Sequence, residues 1–359
     1  MRNNVFFLVL LIISACNKSK IGLKFVDEYV VKDSLLFEEF LIGGISGIDY
    51  FNNDYYMVVD DAENPRILVG NINFKDDKVT SIEFTKLISL QDSINQFYKN
   101  NVLDLESVFL EDENTISLVS EGSIRKGKSP SVFAITKEGR FKEEITIPSY
   151  FKNIKEGKPK HNGTFESSAK SIDAKGFWVA MEAPLEVDGE EPTFQETQSP
   201  IRITYFEKAT KKATKQYAYQ LEKIDKPSKG KVNLNGVTAI LEYDKNTFFV
   251  VERIYQSGYG SYGNTVRIFK ATVEKESTNT LAITSLKKEK YIPLKKELLL
   301  DFSSIKNNLT DTIIDNIEGI TLGPKLTNGN QTLLLVSDDN FQKYGKQLNQ
   351  FIVLEIDEK

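Results

Sequence analysis

Short runs rich in Val, Ile, Phe and Tyr, broken by Gly, Asn, Asp and Lys, recur along the chain, whereas helical periodicity is scarce. One such stretch, Asn316 to Phe341 (NIEGITLGPKLTNGNQTLLLVSDDNF), reads as a β-hairpin. Its first strand opens on Glu318-Gly319 and alternates through Ile320 and Leu322. Gly323-Pro324 to Asn328-Gly329-Asn330 reverse the chain, and an apolar run, Leu333 to Val336, ends on Ser337-Asp338-Asp339. Antiparallel pairing brings the end of the second strand back to the start of the first. Glu318 and Asp338 are therefore expected side by side.

The same pattern occurs four times earlier, in Gly44–Asp61, Asp104–Gly122, Thr164–Pro184 and Asn233–Arg253. Aligned, Ser46, Glu106, Glu166, Asn235 and Glu318 share one position, followed by the small residues Gly47, Ser107, Ser167, Gly236 and Gly319. Asp60, Glu121, Glu182, Glu252 and Asp338 end the second strands. Spacings of 60, 60, 69 and 83 residues are those of a propeller with one four-stranded blade per repeat. The expected fold is an all-β propeller of antiparallel blades, five in number, with six as the alternative. A small residue beside the axis fits, because innermost strands crowd there.

Outer strands are expected at 66–73 and 80–87, 131–136 and 141–147, 201–207 and 216–221, and 265–273 with 281–286. The last repeat has only 350–356. Its fourth strand is expected from Leu23 to Val31, closing the ring between the two chain ends. Residues 88–101 read as a short helix. Residues 23–359 then form one domain.

The first fifteen residues differ from all of this. Arg2, the apolar run Val5 to Ile13 and Ser14-Ala15 have the form of an export signal, and the run is too short to span a bilayer. Ile-Ser-Ala-Cys resembles a bacterial lipobox, which makes Cys16 the lipidated N-terminus and 16–22 a tether. The expected location is the cell envelope, on the outer membrane, with membrane contact through the lipid alone. Cys16 is the only cysteine, so no intramolecular disulfide can form. The formal charge of −5 becomes −6 without Arg2, and no basic run is interleaved with aromatics. That argues against nucleic-acid binding. A monomer is expected.

The hairpin geometry places Asp60, Glu106, Glu121, Glu166, Glu182, Glu252, Glu318 and Asp338 on one face, with Asp61 and Asp339 beside them. Like charges that close would repel and raise one another's pKa. Arginine is distributed unevenly. Apart from Arg2 there are six arginines against 39 lysines, and Arg66, Arg202 and Arg267 each precede an Ile opening a third strand. Arg125 and Arg253 follow second-strand ends, so five of the six map to the acidic face. A guanidinium fork suits carboxylate or phosphate. All the available ligands are oxygen, which points to Ca²⁺ before Mg²⁺ and away from zinc. The opposing reading is that these groups only tie blades together.

Other motifs are weaker. Gly258-x-Gly260-x-x-Gly263 opens no helix, so it is not a dinucleotide fingerprint. The single histidine, His161, lies in a polar loop, which disfavours a serine triad.

The segments SGIDY, DLESV, FESSA, MEAPLEVDG, IRITYFE, VERIYQSGYG, IEGITLGP and LLLVSDDNF, in this order, resemble the phytase-like family, described as esterase-like activity of phytase. The resemblance spans nearly the whole mature chain. It implies a propeller with phosphoester or ester hydrolysis. The family pattern has Glu-Gly where this chain has Glu106-Ser107 and Glu166-Ser167. An Arg of that pattern is replaced by the stretch His161-Asn162-Gly163-Thr164. In the implied scheme Glu106, Glu166 and Glu318 are the catalytic candidates and, with Asp338, hold a metal. Asp60, Glu121, Glu182, Glu252 and Asp339 are further metal candidates, and Arg66, Arg202, Arg253 and Arg267 bind a small anionic ester. The competing class is a non-catalytic envelope propeller that binds a glycan, peptide or protein.

Overall fold

The computed structural model describes residues 21–90, 95–152 and 155–358. Residues 1–20, which hold the expected export signal and Cys16, lie outside the described residues.

Five four-stranded antiparallel sheets form the blades of a propeller. From the axis outward, blade 1 comprises Ile45–Phe51, Asp54–Val59, Arg66–Lys75 and Lys78–Ser89. Blade 2 comprises Leu105–Asp112, Thr115–Ser120, Ser131–Ile135 and Phe141–Glu144. Blade 3 comprises Phe165–Lys170, Gly176–Met181, Pro200–Glu207 and Lys212–Gln220. Blade 4 comprises Asn233–Asp244, Thr247–Gln256, Asn264–Thr272 and Lys295–Asp301. Blade 5 comprises Asn316–Lys325, Gln331–Asp338, Asn349–Glu358 and, from the other end of the chain, Ile21–Val31. The ring thus closes as expected, by Ile21–Val31 pairing with Asn349–Glu358. The short helix is Gln96–Asn100.

One expected strand is displaced. The outer strand of blade 4 is Lys295–Asp301 rather than 281–286. The intervening residues cross over to blade 3, where Thr280 N–H donates to Gln216 O and Leu294 N–H to Ala218 O, 2.8 and 2.9 Å.

Between blades the sheets pack face to face through apolar side chains. Phe109 of blade 2 meets Phe177 of blade 3 at 4.8 Å between ring centroids, and Trp178 of blade 3 meets Phe248 of blade 4 edge-on at 5.0 Å. Such buried aromatic contacts hold the seams without a disulfide.

The inner strand of every blade carries a β-bulge at one place. The pairing skips Ser46, Glu106, Glu166, Thr238 and Glu318. A bulge re-aims the extra side chain, and here it does so around one axis. The small residue that follows is explained by the neighbouring blade. A Cβ on Gly47 would lie 2.8 Å from Glu106 O. Where serine stands instead, it works as a tie: Ser107 Oγ accepts from Ser168 N at 3.0 Å, and Ser167 Oγ accepts from Ile240 N at 2.9 Å. Ser46 and Thr238, the non-acidic bulge residues, donate to Leu105 O and Ile317 O of the next blade, both at 2.7 Å.

Candidate active site

The bulges fix a repeat alignment that differs from the sequence reading in blade 4. The residue at the bulge there is Thr238, not Asn235, and Ala239 is the small follower. The residue two before each bulge pairs with the end of the second strand. These pairs are Gly44 with Asp60, Asp104 with Glu121, Thr164 with Glu182, Gly236 with Arg253 and Asn316 with Asp338. Arg253 therefore stands where four other blades place an acid.

Glu252, one residue earlier, faces the other side of its sheet, because strand side chains alternate. It accepts from Tyr219 Oη at 2.7 Å, Asn235 Nδ2 at 2.9 Å and Glu222 N at 3.1 Å, and it pairs with Lys296. This is a seam between blades 3 and 4, so Glu252 is not a metal candidate. Counted from the first residue of the second strand, Asp54, Thr115, Gly176 and Thr247, the sixth position onward is Asp60, Glu121, Glu182 and Arg253.

On the axis these side chains surround a funnel of about 450 Å³. Its carboxylates are Asp60, Glu106, Glu121, Glu166, Glu182, Glu318 and Asp338, all anticipated, together with Asp104 and Asp315. Asp104, which sequence reasoning passed over, sits two residues before Glu106 and faces the same way. Among the described residues, nine carboxylates thus line the funnel with Arg253, and Lys346 is the one further cation in the lining. Carboxylate oxygens of Asp60, Asp104 and Glu106 lie within 4.8 Å of one another, as do those of Glu106, Glu121 and Glu166. Glu106 belongs to both triads.

Arg253 Nη2 reaches Glu182 Oε1 and Glu318 Oε1, each at 3.4 Å, while its buried Nε has no hydrogen-bond partner among the described residues. Glu318 is steadied by Asn316 Nδ2 at 2.7 Å. Gly236 makes room for Glu182, whose Cγ would stand 2.5 Å from any Cβ there. Burial works to lower the pKa of Arg253, but Glu318, Glu182, Glu166 and Asp338 outweigh it and hold the charge.

Burial, reinforced by neighbouring carboxylates, drives the acids the other way. Glu106, Glu166, Glu318 and Asp60 are pushed well above the usual carboxylate range. Burial raises Glu121 to about 8 and Asp338 to about 7. A raised carboxyl retains its proton in the native state after the unfolded chain has lost it, so stability falls as pH rises between the two values. For Glu121 and Asp338 that window runs from the ordinary values of 4.5 and 3.8 up to about 8 and 7. Metal-free protein is expected to lose stability from pH 5 to pH 8 at about 1.4 kcal/mol per pH unit for each proton retained. Denaturant midpoints measured across that range check it; a midpoint that rises with pH would contradict the assignment.

Three of the four predicted anion-binding arginines lie outside the funnel. Arg66 is buried between the rings of Phe40 and Phe341, its guanidinium carbon 4.9 and 5.7 Å from the centroids, and it pairs with Asp61 at 2.7 Å. Arg202 is fully buried. Its Nε and Nη2 donate to Asp188 Oδ2 and Oδ1 at 2.6 and 2.7 Å, and its Nη1 donates to Gln216 Oε1 at 2.7 Å and Ile283 O at 2.8 Å. Arg202 thereby fastens the 273–294 excursion to blade 3. Arg267 pairs with Asp301 at 2.9 Å and Asp225 at 2.8 Å. Opening a third strand put all three at the right end of a blade but away from the axis.

Asp339 is also structural. It accepts from Gly44 N at 2.8 Å, Phe341 N at 3.1 Å, Gln342 Nε2 at 3.1 Å and Asn349 Nδ2 at 3.0 Å. It thus joins blade 5 to blade 1 and holds Asn340, Phe341 and Gln342 in left-handed backbone, φ 45°, 50° and 60°. Gly258–Gly263 lies in the turn between two blade 4 strands and opens no α-helix.

The phytase-like family profile, described as esterase-like activity of phytase, matches residues 41–341. The chain belongs to this family. Nothing among curated proteins matches it. Among solved structures it is similar to a thermostable family-43 glycoside hydrolase, at 11% identity and TM-score 0.46, covering 88% of this chain and 90% of that one. An α-L-arabinofuranosidase from Podospora anserina has 9% identity and TM-score 0.45, with coverages of 94% and 98%. The major allergen Mala s 1 of Malassezia sympodialis has 10% identity and TM-score 0.43, with coverages of 93% and 96%.

Proposed function

We propose that the phytase-like funnel is a calcium-dependent phosphoester hydrolase site. The observation that carries the reading is the nine-carboxylate lining with one partly buried arginine among it and two oxygen triads sharing Glu106. The donor set fits a hard cation, since every ligand is oxygen and the acids outnumber the cations that could neutralise them. Asp60, Asp104, Glu106, Glu121 and Glu166 would hold the ion. Bound there, Ca²⁺ would neutralise phosphate charge and lower the pKa of a water molecule.

The remaining work belongs to the chain. Glu182 and Glu318 hold the Arg253 guanidinium, which lines the funnel and can donate to a phosphate oxygen. Asp338 lies outside both triads, and with its pKa raised to about 7 it can hold a proton for the leaving oxygen at neutral pH. Glu166, hemmed in by Glu182, Glu318 and Glu121, supplies negative charge that an ion relieves.

Adding Ca²⁺ at about a hundred times its dissociation constant is expected to stabilise the fold by about 2.7 kcal/mol. The same ion should switch on phosphate release from p-nitrophenyl phosphate. If neither the melting temperature nor phosphate release responds, the reading fails, and a non-catalytic binding propeller takes its place.

The N-terminal residues extend the proposal to location. Export by 1–15 and lipidation at Cys16 would tether a monomeric propeller to the envelope. Cys16→Ser should then move the protein from the membrane fraction to the soluble one, and unchanged fractionation counts against the anchor.

A further inference from the structure

The inner hairpin of blade 4 differs from the other four at its axial end. Beyond the pair Gly236 and Arg253, its two strands continue through Asn235 with Ile254, Leu234 with Tyr255, and Asn233 with Gln256. Alternation puts Leu234 and Tyr255 on the same face as Gly236 and Arg253, directly above them. Val232 continues the strip, and all three side chains line the funnel. Val232 and Leu234 remain 40% and 43% exposed.

Tyr344, 76% exposed, lines the same mouth from the loop that follows the second strand of blade 5. The two walls are joined where Ser261 Oγ donates to Lys346 O at 2.6 Å. Apolar side chains crowded at the mouth of an acidic funnel, and continuous with its partly buried arginine, are unlike apolar residues scattered singly over a surface.

We propose that this site takes phosphoesters of a flat apolar alcohol in preference to polyphosphorylated polyols. The placement of the phosphate rests on the hydrolase reading above; the apolar wall does not. Arg253 can grip one phosphate, and the ester oxygen then points up the strip to Leu234 and Tyr255, where an apolar leaving group is shielded from water. A polyol bearing several phosphates would instead set its remaining charges against the surrounding carboxylates and offer nothing to the strip. In turnover the water oxygen bonds to phosphorus as the P–O bond to the alcohol breaks, and a proton from water ends on the leaving oxygen.

The test is calorimetric titration of the full chain, with Ca²⁺ present, using 1-naphthylphosphonate and methylphosphonate, neither of which is an ester. The naphthyl compound is expected to bind at least about tenfold more tightly. In the exposed-surface double variant Val232→Ser, Leu234→Ser that ratio should fall to about threefold or less, with the melting temperature as the control for folding. Equal affinities in the wild type, no binding of either compound, or a ratio unmoved by the double variant would each overturn the proposal. Turnover separates the two readings. Release of phosphate from glycerol phosphate as fast as from 1-naphthyl phosphate sinks the apolar preference and leaves the hydrolase standing. Absence of turnover with naphthyl-selective binding does the reverse.

Discussion

Glu106→Gln is expected to abolish the calcium response and reduce kcat/KM by at least about a hundredfold, while raising the melting temperature of metal-free protein at pH 8 by several degrees. The two effects have opposite sign for one reason. Glu106 is buried among Glu166, Asp60, Glu121 and Glu318, and burial followed by their charges raises its pKa well above the ordinary value. At pH 8 the unfolded chain ionises this group freely, whereas the native state resists, so the carboxyl is a burden on folding. The isosteric amide removes the burden. It also removes the oxygen charge common to both triads, on which cation binding depends. A structural carboxylate behaves differently. Glu252→Gln, outside the funnel, should lose its tie to Lys296 and lower the melting temperature without touching the calcium response. If Glu106→Gln instead destabilised the protein and kept its calcium shift, the carboxylates of the funnel would be blade ties, as the opposing reading of the sequence holds.

Arg202→Met is expected to cost about 3–5 kcal/mol, because it strands a fully buried Asp188 that now receives two guanidinium bonds. The melting temperature should fall by roughly 5–10 °C. Amides at 278–294 should exchange faster with solvent, because Arg202 Nη1 holds Ile283 O and Asp188 Oδ1 accepts from Leu286 N. Replacing Asp188 by Leu in the same molecule should recover part of the loss, since an apolar pair leaves no orphaned charge. The rate per folded molecule should not change. A selective loss of substrate affinity in a protein that melts normally would return Arg202 to the anion-binding role suggested by its place in the sequence.

Both experiments turn on what separates neighbouring residues. The blade repeat, its closure by the two chain ends and seven of the nine funnel carboxylates were legible from local pattern alone. A hairpin carries its own register information in its turn and alternation, and an acid at the end of a short strand is fixed in space by that hairpin. Blade 4 is the exception because its hairpin is longer: the repeat alignment is off by three places on the first strand, Asn235 for Thr238, and by one on the second, Glu252 for Arg253. That single step separates Glu252 in a seam from Arg253 on the axis.

The arginines mark the deeper limit. Position along a strand says which end of a blade a side chain occupies, and Arg66, Arg202 and Arg267 do lie at those ends. Distance from the axis is a property of which strand is innermost and of what packs beside it. Arg202 is buried by a segment about eighty residues away in sequence, reaching it at Thr280 and Ile283. Local pattern thus determined the repeated acids and the ring that gathers them. Which charges share one low-dielectric funnel, and which are consumed in seams, was decided only when distant segments packed, because burial and pairing are properties of contacts that no single hairpin contains.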